Sequence, residues 1–257
     1  MRWAWNTKKN NLCERKMEWQ DNGIVLSLKN YGERSGLLEV LTSDHGRHLG
    51  IVRDIRSQFR KGSLQAGNTL QLNWRARISE HLGSFTFDIV ESRAAKIMNN
   101  KLALVGLQTL VAYTNILPER ENVGNLYNAL CIVLDSMSNN NDWLELLIRW
   151  EMGFLAELGF GIDISKCVVS LDINNLIYVS PKSGKAVSKE IGDPYKDKLL
   201  KLPSFLIDNK KPNKKDVING FLLTGFFLNK DVYEPLGLKM PNSRDRILSL
   251  VRDSYLI

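Results

Sequence analysis

A chain of 257 residues with 44% hydrophobic and 25% charged side chains has the make-up of an ordinary globular protein. It is long enough to bury a core without disulfides or metal staples, and to divide into two or three small domains. Lys and Arg total 35 against 28 Asp and Glu, a net charge of +7 that favours an anionic partner without naming one. Cys13, Cys131 and Cys167 are odd in number and widely spaced, which argues against a disulfide scaffold and fits a reducing cytoplasm. No uninterrupted apolar stretch approaches the length of a transmembrane helix.

Residues 1–16 hold five basic residues to one acidic, 17–94 ten to nine, 95–165 four to eight and 166–257 sixteen to ten. The first sixteen lack the apolar region of a secretory signal. They read either as a basic arm or as upstream extension before a start at Met17. The second is favoured, because Met17-Glu18-Trp19-Gln20-Asp21 leads directly into a strand.

From Gly23 to Glu91 the hydrophobic period is two. Gly23–Leu28 and Leu37–Thr42 are short apolar runs, and Ser43-Asp44-His45-Gly46 supplies turn chemistry before a returning strand at Arg47–Val52. Thr69–Ile78 alternates, with Leu70, Leu72, Trp74, Ala76 and Ile78 on one face and Thr69, Gln71, Asn73, Arg75 and Arg77 on the other. After a turn at His81–Ser84, Phe85, Phe87 and Ile89 point inward on a fifth strand. Five short antiparallel strands in about seventy residues predict a small closed barrel of the OB type. The segment Ile55–Gly67 between the third and fourth strands reads as a long basic loop.

Beyond Arg93 the period becomes 3.6. A helix is predicted over Lys101–Leu117 and stopped by Pro118, which has no N–H to continue it. A second runs over Asn125–Met137, followed by a polar turn at Ser138–Asn141. A third is capped by Asp142 and runs through Leu158, with Gly159 at its C-terminal end. The apolar residues of this third helix fill more than one stripe, so it packs on two sides. Residues 162–206 are loop-rich with short strands at most. Helical pattern resumes over Asp216–Leu228 and from Asn242 to Tyr255. The fold class is multidomain α+β: an N-terminal OB-fold barrel (17–94), an all-α bundle (95–165), a small loop-rich region (166–206) and C-terminal helices packing on the bundle (207–257).

Motifs for covalent chemistry are missing: no His-Glu-x-x-His helix, no phosphate-cradling Gly-rich loop, no Gly-x-Ser-x-Gly elbow and no Cys-x-x-Cys. Of the three histidines, His45, His48 and His81, the first and last lie in turns, and neither of these is paired in sequence with a carboxylate or cysteine at ligand spacing. The chain therefore reads as a binding protein with no cofactor. Between His45 and Ser79 stand Arg47, Arg53, Arg56, Arg60, Lys61, Arg75 and Arg77 against Asp54 alone, a local charge of +6. A groove lined in this way attracts a phosphate backbone, and Lys29 and Arg34 add to the candidate DNA-binding set. With Trp74, Phe85 and Phe87 inward, Tyr31 and Phe59 are the aromatics left for base contacts, which favours sequence-independent binding. The run Lys196–Lys215 is a second candidate surface.

Several strings resemble one family, the bacterial recombination mediator RecO. Gly23-Ile24-Val25-Leu26, Tyr31-Gly32-Glu33 and Thr42-Ser43-Asp44-His45-Gly46 look like its barrel entrance. Leu155-Ala156-Glu157-Leu158-Gly159-Phe160-Gly161-Ile162-Asp163 looks like its helix-to-loop junction. Tyr178-Val179-Ser180-Pro181-Lys182-Ser183-Gly184 and Asp193-Pro194-Tyr195 look like the alphaproteobacterial form. The likeness runs from Met17 to Ile257. It implies a protein that binds single- and double-stranded DNA, anneals complementary strands and helps load recombinase. The implied partners are RecR and the acidic, apolar C-terminal tail of single-stranded-DNA-binding protein, for which Arg149 in the third helix is the candidate contact. Many members bind zinc in the C-terminal region, but here Ser170 follows Cys167 three residues on and no second cysteine pair exists, so no structural zinc is expected. Two rivals stay open: a nucleic-acid-processing enzyme that uses the barrel to hold its substrate, and a protein–protein scaffold.

Overall fold

The computed structural model describes residues 17–78, 81–139, 142–208 and 210–253. The expected extension at 1–16 and the expected helix end at Tyr255 lie outside them.

Five strands close into a barrel in the order β1-β2-β3-β5-β4: β1 (Met17–Tyr31), β2 (Ser35–Thr42), β3 (Gly46–Arg53), β4 (Thr69–Ala76) and β5 (Ser84–Glu91). The first strand is far longer than its apolar run. Its N-terminal half pairs with β4, from Met17↔Ala76 to Ile24↔Thr69. Its C-terminal half pairs with β2, from Gly23↔Thr42 to Tyr31↔Ser35. A bulge between Val25 and Ser27 bends it from one partner to the other. Closure between β3 and β5 rests on one parallel pair, Ile51↔Ser84, and on Ile51 N–H donating to the Gly83 carbonyl at 3.1 Å. Gly50 permits it, since a Cβ there would stand 2.5 Å from the Phe85 ring. The interior holds Val25, Leu38, Val40, Val52, Leu70, Leu72, Trp74 and Phe85, all buried.

The alternation of β4 is as the period of two requires, with Leu70, Leu72 and Trp74 inside and Gln71 and Arg75 outside. Beyond the core of the barrel it fails. Ile78 is 47% and Ile89 38% exposed, and Phe87 is only half-buried. Ile89 stands opposite Leu70, where the β4–β5 ladder shifts register, so its face no longer meets a packed layer. The segment expected as a loop between β3 and β4 contains a helix, α1 (Gln58–Ser63), started by the Ser57 side chain accepting from Arg60 N–H.

The helical part begins with a short α2 (Ala94–Met98), then α3 (Lys101–Thr114), α4 (Gly124–Ser138) and α5 (Leu144–Glu157). The Asn100 side chain caps α3 by accepting from Leu102 and Ala103 N–H. That helix ends at Thr114, three residues before the expected boundary, and the buried Leu117 follows in a turn. Asp142 does not cap α5: Trp143 holds the cap position without a side-chain bond, and Asp142 pairs with Lys211 at 2.5 Å. α5 is enclosed on two sides, against α4 and against α7 (Lys214–Phe227). Between them in sequence lie a three-stranded sheet and α6 (Lys189–Gly192). The sheet is β6 (Leu176–Val179) flanked by β7 (Ala186–Ser188) and β8 (Leu200–Lys201). α7 runs into a π-helical segment (Leu228–Tyr233), and α8 (Asn242–Asp253) closes on α3. One apolar cluster runs through all of these elements and includes Ile24, Leu26 and Leu41 from the outer wall of the barrel.

Arginines tie barrel to bundle. The Arg93 side chain, 6% exposed, donates to Asp135 (2.5 Å) and to Thr69 Oγ1 (2.6 Å). Gly46, at φ +65°, lies so close to the Glu121 backbone that a Cβ would overlap its carbonyl oxygen.

Candidate nucleic-acid interface

The basic residues around the barrel fall into three groups. The first collects at one end. Ser35 pairs with Arg53, and Ile55 N–H donates to the Arg34 carbonyl at 3.1 Å, so the β1–β2 turn is stitched to the β3–α1 connection. Arg34, Asp54 and Arg56 line one concavity there. Asn30, Glu33, Arg56 and Lys61 line a second beside it. Lys29, Arg34, Arg53, Arg56 and Lys61 are all exposed, and none forms an ion pair among the described residues. Arg60 is half-buried: it lies 5.4 Å from the Phe87 ring centroid and donates to the Arg53 carbonyl at 3.0 Å. Tyr31 (53% exposed) and Phe59 (72% exposed) stand at this same end.

The second group sits on the hairpin between β4 and β5. Arg75 and Arg77 are both exposed, and Arg75 is held by Glu18, its cross-strand neighbour, at 2.7 Å. The Ile51↔Ser84 pair brings the base of this hairpin to within two residues of Arg53. The two basic loops thus flank the outer face of β2 and β3, where Leu37 and Ile51 pair as half-buried neighbours. That face, with the loops at its two sides, is where barrels of this topology take oligonucleotides.

Arg47 forms the third group by itself and is a correction. The side chain is only 15% exposed; it donates to Glu39 (2.6 Å) and to the Leu117 carbonyl (3.0 Å) and faces Glu119 at 3.6 Å. It points outward from the barrel, as alternation requires, but that outward side meets the bundle. Arg47 therefore has little surface to offer to DNA.

At the far end of β1, Trp19 stacks on His45 at 4.2 Å and on Trp74 at 5.5 Å, and His48 packs edge-on to both indoles. His45 Nδ1 lies 2.9 Å from the buried Asp21. Neither ring nitrogen of His48, 4% exposed, has a hydrogen-bond partner. Burial, reinforced by Arg120 and His45, holds its pKa down to about 4. These histidines belong to one aromatic cluster with Trp19, Trp74 and Phe85.

On the bundle, α4 and α5 leave a groove of about 220 Å³ lined by Leu126, Ala129, Ile132, Leu146, Arg149 and Trp150, with Glu157 at one side. Leu146, Arg149, Trp150, Gly153 and Glu157 recur at helical spacing and form one stripe of α5. The Arg149 guanidinium donates to the Phe205 carbonyl and lies 5.6 Å from the Phe205 ring centroid. It is thereby fixed at the groove wall rather than left to swing in solvent.

The Cys167 side chain is buried beneath the loop that leads to β6, and Ser188 N–H donates to its sulfur at 3.3 Å. Burial pushes this thiol up. Hydrogen bonds from the Ser170 side chain and backbone, and from Ser188 and Val169 N–H, outweigh burial and bring it down to about 6. The donors around the sulfur are amides and a hydroxyl, and among the described residues no three His, Cys, Asp or Glu side chains converge to hold a metal. The residues present do not fit a zinc site.

Sequence reading missed the central polar group of the bundle. Glu151, fully buried in α5, accepts from Tyr113 Oη (2.7 Å), from Arg244 Nε and Nη2 (2.9 and 3.0 Å), and from the Thr224 hydroxyl. The signal was there: a lone carboxylate between Ile148, Trp150, Phe154 and Leu155 demands a buried cation.

A closed five-stranded barrel with exposed cations at one end, joined to a helical bundle, is the class of protein that this fold defines. Comparison with known proteins gives the family. The model described as Recombination protein O N terminal matches residues 17–93, and that described as Recombination protein O C terminal matches residues 111–237. A DNA repair protein RecO from Mesorhizobium japonicum is 44% identical over 241 residues, covering 93% of this chain and 95% of the relative. Those from Rhizobium johnstonii and Bartonella quintana are 45% and 43% identical, over 89% and 91% of this chain and 90% and 97% of theirs. The chain belongs to the RecO family of DNA repair proteins. Among its described residues, no helix is long and apolar enough to cross a membrane.

Proposed function

We propose that this chain is a cytoplasmic recombination mediator that binds single- and double-stranded DNA without sequence specificity, anneals complementary strands and helps load recombinase. The observation that carries this reading is the group of exposed, unpaired cations at one end of an OB-type barrel: Lys29, Arg34, Arg53, Arg56 and Lys61. Phosphates recruited there release counterions, and the arrangement offers no base-edge code to read. Tyr31 and Phe59 supply stacking surfaces that tolerate any base. Annealing breaks no covalent bond, so the chain acts by neutralising two polyanions and works without a cofactor.

The groove beside Arg149 suits the acidic, apolar tail of single-stranded-DNA-binding protein. Apolar side chains fill the floor between Leu126 and Trp150, and a terminal carboxylate meets the fixed guanidinium. Glu157 lies about 12 Å further along the helix and repels the acidic part of a tail bound in reverse. RecR is the second protein partner in this reading.

Titration of fluorescent single-stranded DNA at several salt concentrations tests the DNA surface, together with an annealing assay lacking ATP and divalent metal. Substituting Arg53, Arg56 and Lys61 by Gln should flatten the salt dependence by about 0.7 in log–log slope per lost contact. Reversing Arg75 and Arg77 should weaken binding further. Arg47→Gln should leave the slope unchanged. An unaltered slope in the Arg53/Arg56/Lys61 variant, or turnover that needs nucleotide or metal, would refute the reading.

A further inference from the structure

We infer that the small C-terminal sheet carries a second binding surface for single-stranded nucleic acid, formed by Tyr195, Lys196, Lys198 and Lys201. The inference rests on the proposed annealing function and adds the place where the second strand is held.

The structure sorts the basic run of this region. Lys210 pairs with Asp208 at 3.0 Å, Lys211 with Asp142 at 2.5 Å, and Lys214 donates to the Arg252 carbonyl at 2.7 Å. These lysines have protein partners. Lys196 and Lys198, on the 3-10 segment Asp193–Lys198, are exposed and form no ion pair among the described residues. Lys201 is exposed on the edge strand β8, its ammonium 4.1 Å from the centroid of the Tyr178 ring. Tyr178 is fixed in turn by donating its hydroxyl to Asp193 at 2.8 Å. Asp193 and Asp197 are the two acidic residues of the segment, and Lys196, Lys198 and Lys201 outnumber them. Tyr195, at the kink of the segment, presents a ring 61% exposed beside these cations. An exposed aromatic among unpaired lysines is the composition that holds a phosphodiester chain by charge and its bases by stacking.

The surface lies on a different side of the bundle from the barrel. The barrel packs against α3 and α4 through β1 and β2, whereas β8 packs on α7, and α5 intervenes between α4 and α7. Two helix-to-helix spacings of about 8–10 Å each separate the supports. A single continuous track is therefore not the arrangement. Each surface can neutralise one strand, which removes the repulsion that two polyanions crowded into one groove would feel.

The test uses the full chain and two oligothymidylates, one carrying a donor fluorophore and one an acceptor, which cannot pair with each other. The parent should bring them together and give energy transfer at stoichiometric protein. Lys196→Gln with Lys198→Gln, and separately Tyr195→Ala, should leave affinity for the first oligonucleotide within twofold. They should cut the transfer at least fivefold and slow annealing of complementary strands about tenfold. Lys201 is left in place because it packs on Tyr178. Undiminished transfer in these variants, or no transfer in a parent saturated with one oligonucleotide, would overturn the inference. The barrel reading fails separately, if Arg53 and Arg56 substitutions leave binding of the first oligonucleotide intact.

Discussion

Replacing Arg244 by Met tests the polar centre on which the bundle is built. Glu151 has no exposed surface and Arg244 4%. Besides its two bonds to Glu151, the guanidinium donates to the Phe221 carbonyl at 2.6 Å, and Gly225 leaves it room where a Cβ would collide. Taking away the cation leaves a buried carboxylate with only the Tyr113 and Thr224 hydroxyls. The Tyr113 hydroxyl remains a donor, because burial and the neighbouring Glu151 charge push its pKa well above the usual tyrosine range. Removing one partner of a buried pair costs about 3–5 kcal/mol, against a total stability of about 5–15 kcal/mol. The melting temperature should then fall by roughly 6–20 °C. Urea unfolding followed by tryptophan fluorescence reads this directly. The double variant Glu151→Leu with Arg244→Met removes both charges and should recover most of the loss, giving a coupling of at least about 2 kcal/mol in the double-mutant cycle. If Arg244→Met costs less than about 1 kcal/mol, or the double variant loses the sum of the two singles, Glu151 is not held by this pair.

Three further outcomes follow from the geometry. His48 is favoured as the neutral base in the folded state, so its stabilising contribution is full above pH 6.5 and drains away as pH falls through about 4. Urea midpoints measured between pH 7 and 4 should drop less steeply in His48→Leu than in the parent; parallel curves would show that the ring is not protected. Gly46→Ala combines a positive φ with overlap on the Glu121 carbonyl, and should destabilise by at least about 3 kcal/mol. An unchanged unfolding midpoint would mean that barrel and bundle are not clamped there. Arg149→Ala should weaken binding of an acidic, apolar tail peptide about tenfold by fluorescence anisotropy while leaving oligonucleotide affinity unchanged, and equal peptide affinity would move the docking site elsewhere.

The barrel was readable wherever one face of a strand is packed and the other wet. Leu70, Leu72 and Trp74 alternate with Gln71, Asn73 and Arg75 because the pleat imposes it. The N-terminal half of β1 was not readable as part of one long strand, since Met17 and Trp19 are the only apolar residues in Met17–Asn22, too few to set a period. Its pairing with β4 comes from barrel closure, which a local pattern does not contain. The short α1 escaped for a related reason: six residues with one buried side chain leave no periodic trace. Asp142 had good capping chemistry but found Lys211, a partner nearly seventy residues away. Part of the candidate site was legible: Arg53, Arg56 and Lys61 follow from charge density alone. The fate of Arg47 was not, because alternation says which residues face outward and is silent on whether outward means water or another domain.

The cations of this chain are sorted by the acceptors that surround them. Arg47, Arg93 and Arg244 have planar guanidiniums that satisfy several acceptors at once, so each can be buried where carboxylates and carbonyls converge from two elements. Each is spent on holding the fold. Lysine, a strongly hydrated point charge, is costly to enclose without such a set, and no described lysine is buried here. The acidic bundle lies between the barrel and the small sheet and lowers the net charge without supplying counter-ions to either surface. The sum of +7 is therefore a poor guide to anion binding in this molecule. The relevant quantity is the number of exposed cations without a carboxylate within salt-bridge reach. By that measure, among the described residues, one group of such cations stands at the barrel end and another beside Tyr195, where a phosphate chain would find charge not already neutralised.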